Sequence, residues 1–244
     1  MPLENILLSG LLCMVIGAIA YWKHVLDLEG TIAAFLVGFP IGMASLPWLA
    51  LLLLFLAASF VATRFKFEAK KRLGVQEGKK GERGWKNVVA NGTVPMILGI
   101  AYSFAGFEPK ETLVFLYLTA LAVAASDTLA SEIGVLSERV YLITNFRRVK
   151  QGTNGGISLL GELWAFNGSL FVAVVGLGFL AGFGEIEFNL LNLFLISVLG
   201  FTGCQIDSLF GAVLENRGLL TKGTNNLLSI GLTTMIAVVI KWLI

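Results

Sequence analysis

The sequence predicts an all-α polytopic membrane protein, a single integral domain over 1–244 with about eight transmembrane helices. Three observations carry that prediction. First, 56% of the residues are hydrophobic and only 14% charged, with a mean hydropathy of +0.82; an average soluble domain carries about 25% charged residues. Second, eight apolar runs approach the roughly 20 residues that a bilayer span needs. Third, fifteen of the 18 Lys and Arg fall in three alternate loops, 64–86, 135–156 and 215–224. The net charge of +2 matters less than that distribution.

The first run, about 5–22, follows an acidic rather than a basic start, so it reads as a retained span and not a signal peptide. The second, 30–46, is short and bounded or broken by Pro40 and Pro47, and reads as the weakest span, a candidate re-entrant segment. The third, 47–63, leads into the basic loop 64–86, which holds nine cations. The fourth, 88–106, is entered through Asn87 and Asn91, four apart and so on one helical face. The fifth to eighth run at about 111–134, 157–183, 188–214 and 225–243. The positive-inside rule places the three basic loops in the cytoplasm and both termini outside. Trp22, Trp48, Trp85 and Trp242 lie near span ends, where interfacial anchoring is expected. Cys13 and Cys204 read as core, and the lone His24 excludes a His-based metal site.

Two runs end in acid. Asp127 lies seven residues before Gly134 and Asp207 eight before Glu215, so each is about 10–12 Å inside the cytoplasmic helix end at 1.5 Å per residue. Carboxylates inside a bilayer are costly and face partners, ions or water. Each acidic segment is followed by Gly-Thr-Asn, at 152–154 and 223–225, and then by a returning span. Spans five–six and seven–eight (about 111–183 and 188–243) therefore read as parallel copies of one hairpin, a repeat that commonly forms a shared site. The opposite half of the bundle reads as plain hydrocarbon.

Two like charges at one depth stay ionised when a cation lies between them. Mg²⁺ accepts one or two carboxylates and completes its shell with waters and phosphates, so Asp127 and Asp207 are its expected ligands, with Glu132 a third or a supporting partner. The alternative is that each aspartate bonds Ser or Thr neighbours and ties helices together. Gly152-Thr153-Asn154-Gly155-Gly156 precedes a helix and reads either as a phosphate cradle or as a turn with an N-cap; its doubling at Gly223-Thr224-Asn225-Asn226 favours the cradle. Arg147, Arg148 and Lys222 are placed to neutralise phosphate, or else to set topology and attract anionic lipid. Asn91, with Ser126, Thr128 and Ser208 beside the aspartates, completes the expected nucleotide- and phosphate-binding set.

Ala-Ser-Asp-Thr-Leu-Ala-Ser-Glu-Ile-Gly at 125–134 and Gly-Thr-Asn-Gly-Gly-Ile-Ser-Leu-Leu-Gly at 152–161 resemble the family once labelled domain of unknown function 92. That family includes transmembrane protein 19 and phytyl-phosphate kinases. Asp207-Ser208-Leu209-Phe210-Gly211-Ala212 and Val89-Ala90-Asn91-Gly92 match it as well, and the first three spans match by hydropathy. The resemblance implies a kinase that passes a phosphoryl group, preferentially from CTP, to an isoprenoid monophosphate. The expected partners are then a nucleoside triphosphate, a lipid-like isoprenoid phosphate and membrane lipids, and not nucleic acid. The rival expectation is an ion-coupled secondary transporter, which also uses intramembrane carboxylates but holds them near the midplane.

Overall fold

The computed structural model describes residues 3–105 and 110–243; Met1, Pro2, Ile244, position 106 at the end of the fourth run and most of the 107–110 connection lie outside these. Each apolar run forms a helix. In order they are α1 (Leu3–Trp22), α2 (Leu28–Ala44), α3 (Leu46–Arg64), the short α4 (Phe67–Leu73) within the basic loop, α5 (Trp85–Phe104) and α6 (Lys110–Gly134). Three short strands follow, β1 (Val140–Leu142), β2 (Arg148–Val149) and β3 (Gly156–Ile157), then α7 (Leu159–Phe171), a π-helical turn (Val172–Gly176), α8 (Leu177–Gly182), α9 (Leu190–Val213) and α10 (Lys222–Leu243).

Among the described residues, six helices, α1, α3, α6, α7 with α8, α9 and α10, are long and apolar enough to cross a membrane. The other two fall short of eight for local reasons. α2 has only 17 residues with Pro40 inside it, and α5 opens on the polar Lys86, Asn87 and Asn91.

α6 is the axis of the bundle. Every residue from Val114 to Ser126 is buried, because α3, α5, α7, α9 and α10 all pack on it; a helix apolar on every face belongs in a core. Small residues bring its neighbours close. A Cβ on Gly168 of α7 would lie 2.8 Å from the Ala125 carbonyl oxygen, and one on Gly203 of α9 would lie 2.5 Å from the Val123 side chain. Such close approach is how helices associate where lipid gives no hydrophobic drive.

The loop after α6 is more structured than expected. β1 is the centre of a three-stranded antiparallel sheet, order β2-β1-β3, and Ser158 caps α7 by accepting from the Gly161 N–H at 3.1 Å. The sheet carries the first Gly-Thr-Asn as a turn, whereas 223–225 lie in the first turn of α10. The two stretches share a sequence pattern and not a backbone.

The far end of the bundle is not plain hydrocarbon. Glu185 accepts from Ser45 Oγ and from Trp48 Nε1, each at 2.7 Å, and Tyr117 Oη donates to the Trp48 carbonyl. Trp48 is therefore fully buried, unlike Trp22 and Trp242, which are exposed as interfacial anchors should be.

Candidate functional site: a paired-carboxylate cleft

The basic loops converge at one end of the bundle. Val75 packs on Gly152, Lys222 Nζ reaches Glu77 at 3.5 Å, and Asn216 donates to the Asn154 carbonyl at 3.0 Å. Between them opens a cleft of about 1240 Å³, counting its mouth. Asp127 from α6 and Asp207 from α9 line it together, so the fold brings the two acids to one cleft.

α10 orients both. Its successive residues point about 100° apart, so neighbouring asparagines serve different acids. Asn226 Nδ2 donates to Asp127 Oδ2 at 3.0 Å, and Asn225 Nδ2 to the Asp207 carbonyl at 3.0 Å. One turn on, Ser229 Oγ donates to Asp207 Oδ1 at 3.1 Å. Asn225 Oδ1 is buried with no hydrogen-bond partner among the described residues. Two carboxylates and a spare amide oxygen are a donor set suited to a hard cation such as Mg²⁺, which uses few protein oxygens and leaves the rest of its shell to water and phosphate. Among the described residues, no three His, Cys, Asp or Glu gather in a metal-binding group.

The glycine-rich turn forms the rim. Gly152 and Gly155 have φ of +79° and +72°, and a Cβ on Gly155 would lie 2.5 Å from the Ala212 backbone nitrogen; only glycine fits both demands. Thr153 folds back on the Lys150 carbonyl at 2.7 Å, while Gly156 and Ser208 line the cleft. Thr224 makes a reciprocal cap with Thr221, Gly223 packs near Lys86 and Ala90, and Lys222, with its side chain 58% exposed, stands at the mouth.

Several expected members lie elsewhere. Glu132 is paired with Lys70 Nζ at 2.7 Å and Arg83 at 3.8 Å, and accepts from Thr63 Oγ1 at 3.0 Å; all four side chains are buried. Both its oxygens are thus committed away from the aspartates. Arg147 and Arg148 sit exposed at the β1–β2 hairpin, outside the cleft lining. Ser126 is buried and donates to the Ala165 carbonyl, Thr128 is buried outside the lining, and Asn91 faces a second, apolar cavity.

Glu162, near the start of the sixth run, reads from the sequence as a supporting partner or inter-helix glue, whereas Gln205 and Glu215 carry no such mark. Gln205 Nε2 donates to Glu162 Oε2 at 2.8 Å, and Glu162 and Glu215 both line the cleft. Arg83, one of the nine cations counted in the basic loop, is only 6% exposed. Burial pulls its guanidinium below the ordinary value, and Glu132, Glu77 and Asp127 act to raise it.

Fold and cleft together define a polytopic helical membrane protein with a paired-carboxylate site at the end that bears its basic loops. The chain belongs to the integral membrane protein DUF92 family, whose model matches residues 11–237. It is 33% identical over 229 residues to the uncharacterized membrane protein MJ0933 of Methanocaldococcus jannaschii, covering 93% of this chain and 90% of that one. Protein PGR of Arabidopsis thaliana is 32% identical over 89% of this chain and 81% of its own. Chloroplastic protein VTE6 of the same plant is 36% identical over 62% of this chain and 46% of its own length. No solved structure matches.

Proposed function

We propose that this protein is a membrane kinase that transfers the γ-phosphoryl group of a nucleoside triphosphate, CTP by family resemblance, to an isoprenoid monophosphate. The observation that carries the reading is the meeting of Asp127 and Asp207 in a cleft rimmed by a glycine turn and Lys222. Phosphoryl transfer asks chiefly for positioning and charge neutralisation, and paired acids with a phosphate rim supply both. Mg²⁺ held by Asp127 and Asp207, with Asn225 Oδ1 beside them, would neutralise charge on the nucleotide phosphates.

The chain's own residues do the rest. Asn226 and Ser229 hold the two carboxylates in place, and Lys222 and the turn at 152–156 orient the nucleotide's outer phosphates. An oxygen of the acceptor monophosphate attacks the γ-phosphorus, the bond from that phosphorus to the β-bridging oxygen breaks, and nucleoside diphosphate leaves. The acceptor is already an anion, so no strong general base is needed. Apolar spans leave the isoprenoid tail in hydrocarbon while its phosphate reaches the cleft, about 10 Å in from the helix ends.

The test is to incubate purified protein with γ-labelled CTP, Mg²⁺ and a panel of prenyl monophosphates. Labelled prenyl diphosphate is expected from the wild type, and Asp127→Asn or Asp207→Asn should reduce turnover by roughly 100-fold or more while the protein still inserts and folds. Wild-type turnover in either variant would contradict the assignment. No product from any acceptor, with ion-driven uptake into proteoliposomes instead, would favour a carrier.

A further inference from the structure

A second cavity, of about 770 Å³ counting its open mouth, lies between α1, α2, α3 and α5. Its walls are apolar, from Ala34 and Val37 on α2 to Leu52 and Leu56 on α3, but one end is closed by Arg83 and Asn91. Both are more than nine-tenths buried, and each presents an atom with no hydrogen-bond partner among the described residues, Nε of Arg83 and Oδ1 of Asn91. Buried polar atoms are ordinarily paired, and leaving one unpaired costs on the order of 1–3 kcal/mol. Nor does Arg83 have a close ion pair, although Glu77 and Asp127 add their negative charge from farther off. Lys70 and Arg83 share the single carboxylate of Glu132, and Lys70 holds it more closely, at 2.7 Å against 3.8 Å. A buried cation without a full partner is a receptor for an anion. Pro95, four residues beyond Asn91 on α5, has no N–H to give the Asn91 carbonyl, so the helix is open at that point too.

We infer that this cavity binds a long-chain lipid carrying a phosphate monoester, with the chain between α1, α2, α3 and α5 and the phosphate on Arg83. The asparagine amide turns toward the same headgroup, its N–H₂ at present given to the Asn87 carbonyl. Arg83 reaches Glu132 on α6, five residues beyond Asp127, so it ties the apolar cavity to the helix that carries the cleft. Taking the bound lipid as the phosphoryl acceptor rests on the kinase reading; the binding itself does not. In that role Arg83 is a positioning residue, with its guanidinium on the acceptor phosphate and away from the nucleotide rim.

Binding is therefore measured without nucleotide, with geranylgeranyl monophosphate titrated into purified protein in detergent and followed by native mass spectrometry. Arg83→Gln should weaken it about tenfold or more, the scale of a charge-assisted hydrogen bond, and leave the affinity for geranylgeraniol unchanged. Ala34→Phe, which fills the apolar end, should weaken geranylgeranyl monophosphate at least as much and spare dimethylallyl monophosphate. It keeps the test open if Arg83→Gln fails to fold. Where the wild type turns over, Arg83→Gln should raise KM for the prenyl phosphate and not for CTP. Unchanged binding in Ala34→Phe, or in folded Arg83→Gln, overturns the inference. Displacement of the prenyl phosphate by equimolar phosphatidylglycerol, a phosphodiester, would also overturn it, making the cavity a general phospholipid site. Binding with these dependences but no phosphoryl transfer sinks the kinase reading and leaves this one standing.

Discussion

Asp127 and Glu132 both leave α6 near its end, yet they serve different ends of the chemistry. Five residues at about 100° each set them roughly 140° apart around the helix, so one faces α9 and α10 and the other faces α3. That separation is readable from the spacing alone, and it argues against a three-acid metal site. Glu132 instead balances Lys70 and part of Arg83 in the core. Removing one partner of a buried pair leaves an uncompensated charge, at a cost of about 3–5 kcal/mol. Glu132→Gln should therefore lower the thermal unfolding midpoint markedly while divalent-ion affinity is retained in the folded fraction; an unaltered midpoint with lost ion binding would restore Glu132 to the metal site. Asp127 and Asp207 were legible as a pair because charge in an apolar run has few other uses. Arg83 was not legible, since one of nine cations in a loop carries no local mark of burial. Its position is set by chain return, through the backbone pairing of Arg83 with Val25 and Asp27.

At the scale of elements, hydropathy found every long helix, because burial in lipid or protein demands the same apolar composition, and missed the short, basic α4. It did not find what the loops do. The β1–β2–β3 sheet is built from strands of two or three residues, too short for alternation to register, and it holds the glycine turn against α9. The second Gly-Thr-Asn reads like the first but extends α10, where its asparagines reach the acids. A pattern of three residues does not specify a backbone. The rim predicts its own sensitivity: Gly155→Val meets both a positive φ and the Ala212 backbone, so it should raise KM for the nucleotide about tenfold or more, the scale of 1–3 kcal/mol of local strain, with circular dichroism unchanged. Wild-type KM in that variant would remove the turn from the nucleotide site.

Across the whole molecule, polar groups occupy both ends and chemistry is concentrated at one. The basic loops, the cleft and Arg83 share an end, while the Glu185–Ser45–Trp48 cluster ties the other. With the buried Cys13 and Cys204 replaced, Lys79→Cys should react with an impermeant maleimide only in inverted vesicles, and Glu187→Cys only in intact cells. The reverse pattern would turn the cleft outward and end its access to cytoplasmic nucleotide. The proposed chemistry requires Asp127 and Asp207 together to hold a divalent ion. Electron paramagnetic resonance of Mn²⁺ titrated into the purified protein with nucleotide present tests this. One protein-bound ion, lost in Asp127→Asn and in Asp207→Asn alike, is the predicted result; bound Mn²⁺ undiminished in either variant would contradict it.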